Sequence, residues 1–128
     1  MGIVTDALSI FIDNLLLMRV LIIKMSSMGD IIHTLPAVTD ATQAISNIQF
    51  DWVVEEAFTE IPKWHKQVKQ IIPIALRRWR KNIWQAAQNG EIKQFYKQLR
   101  THEYDIVLDA QGSIKSAITA RLSRGCRF

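Results

Sequence analysis

The sequence predicts an α/β protein built on a doubly wound, Rossmann-like parallel sheet, and three observations predict it. Short apolar runs alternate with stretches of helical spacing along the chain. The first run, VLII at residues 20–23, is apolar throughout and mostly β-branched, which suits a strand covered on both faces. Polar residues follow each run, where parallel sheets place their ligand sites.

The elements follow in order. After the first strand, residues 24–29 (KMSSMG) make a tight turn, with Gly29 free to reverse the chain. A helix then opens at Asp30 and runs to about residue 45, with Ile31, Leu35, Val38, Ala41 and Ile45 at near-helical intervals and Pro36 bending it. Ser26 and Ser27 can cap that helix, and Asp30 faces its positive end. FDWVV at residues 50–54 is a second strand, followed by Glu55 and Glu56. Residues 58–65 form a short helix interrupted by Pro62. A weaker third strand lies within residues 68–76, where Pro73 favours a sheet edge. Residues 91–100 form a helix with Ile92, Phe95, Tyr96 and Leu99 on one face. DIVL at residues 105–108 is a fourth strand ending at Asp109. A last helix spans residues 113–123, with Ile114, Ala117, Ile118 and Leu122 facing inward and Gly125 as its stop.

Composition sets the outer limits. The chain has 128 residues, 48% apolar and 22% charged, which fits one folded domain and argues against disorder. Its 16 Lys and Arg against 12 Asp and Glu give a mild net charge of +4. A single cysteine, Cys126, rules out an internal disulfide. Residues 1–17 carry an amphipathic pattern (Leu8, Phe11, Ile12, Leu15, Leu16) but no basic start and no unbroken apolar span. They are expected to be an extension ahead of the domain, which begins at Met18.

The charged residues at the strand ends converge on one edge of the predicted sheet. Asp30, Glu55 with Glu56, residues 77–81, and Asp109 with Gln111 all fall there. The basic run RRWRK (Arg77, Arg78, Trp79, Arg80, Lys81) is the sharpest feature. Its guanidinium groups suit bidentate pairing with phosphate or carboxylate. Trp79 could also sit at a membrane interface beside anionic lipid, and cations with aromatics also suit nucleic acid. A solvated loop is the plain alternative. Neither GxGxxG nor GxxxxGK[ST] occurs, and no His or Cys spacing marks a metal site.

These residues together carry a resemblance. MRVLIIKMSSMGDIIHTLPAVTDA, FDWVVEEAF, IPKWH, ALRRWRK and YDIVLDAQGSIKSA, in that order from Met18 to about Gly125, resemble the bacterial ADP-heptose transferases of glycosyltransferase family 9. The resemblance implies a GT-B enzyme, whose N-terminal domain receives the acceptor and whose second domain holds the nucleotide sugar. It implies inverting transfer of L-glycero-D-manno-heptose from ADP-heptose to Kdo of Kdo-lipid A in the lipopolysaccharide inner core, with no metal and no other cofactor.

By the same resemblance, Asp30 is the catalytic base. Arg77, Arg78, Arg80 and Lys81 bind the anionic acceptor, and Lys24, Ser27, Gly29, Gln111, Gly112 and Lys115 line the same cleft. The implied partners are ADP-heptose, Kdo-lipid A and the inner membrane surface, with no nucleic acid, and the implied location is cytoplasmic and peripheral to that membrane. Residues 18–128 are expected to be an incomplete acceptor domain that lacks the nucleotide-sugar domain, is inactive alone and leaves apolar surface exposed. Two other readings stand beside this one: a non-catalytic module for anionic glycolipid or membrane, and a receiver-like signalling domain, which lacks its acidic pair after the first strand.

Overall fold

The computed structural model describes residues 7–9 and 17–127, so the expected extension at residues 1–17 lies almost wholly outside the described residues. The first apolar run forms β1, Met18–Ile23, in the middle of a five-stranded sheet. Its neighbours are β2 (Ile48–Glu55) on one side and β4 (Tyr104–Asp109) on the other, both parallel to it. β3 (Val68–Ile74) lies outside β2 and β5 (Gly125–Arg127) outside β4, giving the order β3-β2-β1-β4-β5. Pro73 thus sits in an edge strand, where its missing N–H costs no ladder bond.

Alternation along β1 supplies both faces of the sheet. Val20 and Ile22 pack with Ile31 and Val38 of helix α1 (Met28–Ala44). Leu21 and Ile23 pack on the opposite face with Trp79, Ala86, Phe95, Leu99 and Ala120. Those residues belong to α2 (Leu76–Lys81), α3 (Ile83–Gln88), α4 (Glu91–Leu99) and α5 (Ile114–Leu122). Crossovers on the β2 side use one face and those on the β4 side use the other. The order therefore reverses beside β1, and the crevice for ligands opens there.

Several local expectations change. The basic run is the helix α2, not a loop, and Trp79 is a core residue rather than a membrane contact: it is buried and packs edge-to-face on Phe95 with ring centroids 5.8 Å apart. The expected helix at residues 58–65 is two single 3-10 turns, Glu56–Phe58 and Pro62–Trp64, because Pro62 starts the second and cannot continue the first. Gly29 lies in the first turn of α1 without a positive φ, so the chain turn does not depend on it.

The largest change concerns α5. Its expected inward stripe faces out: Ile114 is 82% exposed, Ile118 55% and Leu122 41%. The buried face is made of small residues, two of them hydroxylic: Ser116, Thr119 and Ala120. There Thr119 Oγ1 satisfies itself on the Lys115 carbonyl (2.9 Å) and Ser116 Oγ on the Asp109 carboxylate (3.0 Å). Gly125 does not stop this helix, which ends at Leu122 with Ser123 as its C-cap. Instead it opens β5 with φ +153°, and a Cβ there would lie 2.3 Å from the Tyr104 carbonyl oxygen.

Candidate acceptor cleft at the carboxyl edge of the sheet

The turn after β1 is held from three sides. Its next-strand neighbour continues the ladder, with Lys24 N–H donating to Val53 O (3.3 Å) and Glu55 N–H to Met25 O (3.0 Å). Trp52 reaches across and donates its indole N–H to Lys24 O (3.0 Å). From the β4 side, Gln111 Oε1 accepts from the N–H groups of Met25 (3.0 Å) and Ser26 (3.3 Å), while Lys24 Nζ donates to Ala110 O (3.2 Å). The Gln111 loop is itself fixed by Asp109, whose Oδ1 accepts from Gln111 and Gly112 N–H, both at 3.0 Å. Gly112 takes φ +71°, which glycine adopts without strain.

Asp30 sits at the exposed opening of α1. Its Oδ2 accepts from Ser27 N–H (3.3 Å) and Ser27 Oγ–H (3.0 Å), reaching back to the N-cap as in a capping box. These two bonds, with the nearby Lys24 charge, hold its carboxyl below the ordinary aspartate range. At neutral pH it is a carboxylate open to solvent.

Beside this turn lies a cleft of about 320 Å³ lined by Met25, Ser26, Glu55, Leu76, Arg77, Arg80, Gln111, Ser113, Ile114 and Lys115. It collects cations from two separate elements, Arg77 and Arg80 on α2 and Lys115 on α5. The one acid in its wall is Glu55, buried at the end of β2. Burial pushes the Glu55 carboxyl up, and the N–H groups of Leu76 and Arg77 partly offset this by donating to it.

The sequence-predicted site residues therefore separate into groups. Arg77, Arg80, Gln111 and Lys115 share the cleft. Ser27, Gly29 and Asp30 follow cleft-lining Ser26 at the mouth of α1, and Lys24 and Gly112 brace the two loops around it. Arg78 is turned away. Its Nε and Nη2 pair with both oxygens of Glu56 (3.1 Å each) and its Nη1 donates to Glu91 (2.8 Å), which also accepts from Trp79 Nε1 (2.8 Å). That arrangement raises the Arg78 pKa and lowers Glu91 to about 2. Lys81 is exposed at the end of α2, outside the cleft wall. Sequence reasoning placed Glu55 at this edge, from its position after an apolar strand, but gave it no role of its own.

A family model described as glycosyltransferase family 9 (heptosyltransferase) matches residues 92–128. Lipopolysaccharide heptosyltransferase 1 of Pseudomonas aeruginosa is 61% identical over 104 residues, which cover 81% of this chain and 29% of that protein. Its namesake in Escherichia coli K12 is 56% identical over 111 residues, 86% of this chain and 35% of that protein. A solved structure, E. coli heptosyltransferase WaaC with ADP, matches with a TM-score of 0.82 at 56% identity over 86% of this chain and 35% of its own. Over the stretch it spans, the chain is similar to the heptosyltransferases of glycosyltransferase family 9.

A glycosyl transferase family 9 protein from Veillonella parvula shares the fold, with a TM-score of 0.65 at 15% identity over 82% of this chain and 29% of its own. The chain spans about a third of the length of the heptosyltransferases it matches. Among the described residues no three His, Cys, Asp or Glu side chains cluster closely enough to hold a metal ion, and no helix is long and apolar enough to cross a membrane.

Proposed function

We propose that this chain forms the acceptor side of an inverting GT-B heptosyltransferase of the lipopolysaccharide inner core. The reaction is transfer of L-glycero-D-manno-heptose from ADP-heptose to a Kdo hydroxyl of Kdo-lipid A, at the cytoplasmic face of the inner membrane. The observation that carries the acceptor assignment is the convergence of Arg77, Arg80 and Lys115 on one cleft beside the Asp30 turn. Kdo is a sugar acid and lipid A carries phosphates, so a cleft with three cations from two elements suits that ligand.

Asp30 is the group in this region that accepts a proton. The Kdo oxygen attacks the anomeric carbon as the bond to the ADP phosphate breaks, and the hydroxyl proton passes to an Asp30 oxygen. One displacement inverts the anomeric centre. Asp30 is kept ionised by Ser27 and Lys24, at some loss of basicity, so the proton transfers as the sugar bond forms rather than before it.

The nucleotide sugar is assigned to the part of the relatives beyond the third that this chain spans, so these 128 residues alone should not transfer heptose. The test grafts residues 18–128 in place of the matching third of the E. coli relative and assays transfer from ADP-heptose to Kdo-lipid A. Activity lost on Asp30→Asn with donor binding retained supports the reading. A graft that binds Kdo-lipid A yet transfers no heptose, beside an active E. coli control, would leave a glycolipid-binding module.

A further inference from the structure

The stretch carrying α2 and α3 is one-sided in charge. Residues 75–90 contain four cations and no Asp or Glu. Of those four, Arg78 is already neutralised by Glu56 and Glu91, and Arg77 and Arg80 face the cleft. Directly after them the chain presents Lys81, Asn82, Ile83, Trp84 and Gln85, all exposed. Ile83 is 60% exposed and Trp84 78%, consecutive large apolar residues in the first turn of α3. Neither joins the core, which α3 reaches through Ala86 instead.

From this surface we infer that the Lys81–Trp84 turn is a membrane-contact tip that docks on an anionic lipid bilayer. An indole prefers the headgroup layer, where its ring is apolar and its N–H stays hydrated, and an aliphatic neighbour adds buried area. A lysine beside them meets lipid phosphate. Trp79, the aromatic inside the basic run, cannot serve, because its ring and N–H are committed to Phe95 and Glu91. The tip also continues the helix that lines the cleft, so docking would hold the cleft next to the bilayer. This last point rests on the lipid-linked acceptor proposed above.

The test is flotation of the 128-residue chain with vesicles of phosphatidylethanolamine and phosphatidylglycerol, and separately with phosphatidylcholine alone. The chain should bind the anionic vesicles, less so as salt is raised. Trp84→Ala and Ile83→Ser should each weaken partitioning, together by roughly tenfold or more. Lys81→Gln should weaken it by about fivefold at low salt. All three positions are exposed, so folding should be unchanged, as circular dichroism would verify. No binding to anionic vesicles, or binding that survives Trp84→Ala with Ile83→Ser, overturns the inference. Titration of the same protein with soluble Kdo tests the acceptor cleft by itself: loss of Kdo binding with vesicle binding intact discards the acceptor reading and leaves the tip standing.

Discussion

Glu55 Oε2 accepts a hydrogen bond from Leu76 N–H at 3.3 Å, so a buried carboxylate at the end of β2 caps the helix that carries the basic run. α2 has no cap of its own, because its N-cap position is Ala75. A carboxylate at that end also offsets the orphan N–H groups of the first turn. The two cleft cations on α2, Arg77 and Arg80, are therefore carried by a helix whose first turn is held by Glu55, 21 places before Leu76.

Replacing Glu55 should act on the cleft through α2. Glu55→Ala is expected to cost about 1 kcal/mol, the usual cost of losing a helix cap, and to release the α2 amides to hydrogen exchange. Glu55→Gln keeps an acceptor oxygen and should restore most of that protection. Equal protection in Glu55→Ala and the wild type would show that the cap is idle.

The two faces of α2 should respond differently to mutation. Arg77→Ala and Arg80→Ala remove charges from the cleft and should each weaken Kdo binding by roughly tenfold, the scale of a charge-assisted hydrogen bond. Arg78→Ala should leave that affinity unchanged and lower stability instead, since it frees Glu56 and Glu91. The Glu91 carboxyl is held at about 2, below its ordinary 4.5, so its contribution is full above 4.5 and fades as pH falls toward 2. Urea midpoints between pH 5 and 2 should drop less steeply in Glu91→Gln. An Arg78→Ala chain with impaired Kdo binding would return that residue to the site.

Asp51 and Tyr104 give the opposite pH dependence. Tyr104 Oη–H donates to Asp51 Oδ2 at 2.6 Å between two buried side chains. Burial raises the Asp51 carboxyl above its ordinary 3.8, and the tyrosine bond opposes the rise. A folded-state value above the unfolded one means the native state holds the proton longer. Stability should then fall as pH climbs from 3.8 through the folded value. Tyr104→Phe strips the carboxylate of its partner, costs about 2 kcal/mol at neutral pH and steepens that fall. A slope unchanged in Tyr104→Phe would mean that Asp51 is solvated by other means.

How much of this was legible in the sequence depended on whether the signal was local. β1, β2 and β4 each announce themselves as compact apolar runs, and Pro73 marked its strand as an edge. Of the two serines readable as the cap of α1, Ser27 is the one used, and the helix opens at Met28, two residues before the expected Asp30. The partners of Arg78 could not be, because the Glu91 that pairs with it lies across α3, and in the sequence all the cations of RRWRK look alike. Trp79 was misread for the same reason: its burial is decided by Phe95 on another helix. Asp51 was hidden inside an apolar strand, where the Tyr104 hydroxyl from another strand supports its burial.

The inverted burial of α5 yields the last prediction. Apolar periodicity favoured Ile114, Ile118 and Leu122 as the core stripe, yet the helix buries Ser116, Thr119 and Ala120. Small residues allow α5 to approach β4 closely, and their hydroxyls bond within the helix and to Asp109, so burying them leaves no polar atom stranded. Ile118→Lys should therefore change stability by no more than about 0.5 kcal/mol, the range for surface sites. Ala120→Leu, an apparently milder change, should cost about 1–3 kcal/mol by overpacking against the sheet. Denaturant titration of the two variants decides between the faces. A large loss in Ile118→Lys with little in Ala120→Leu would restore the periodic stripe as the buried one.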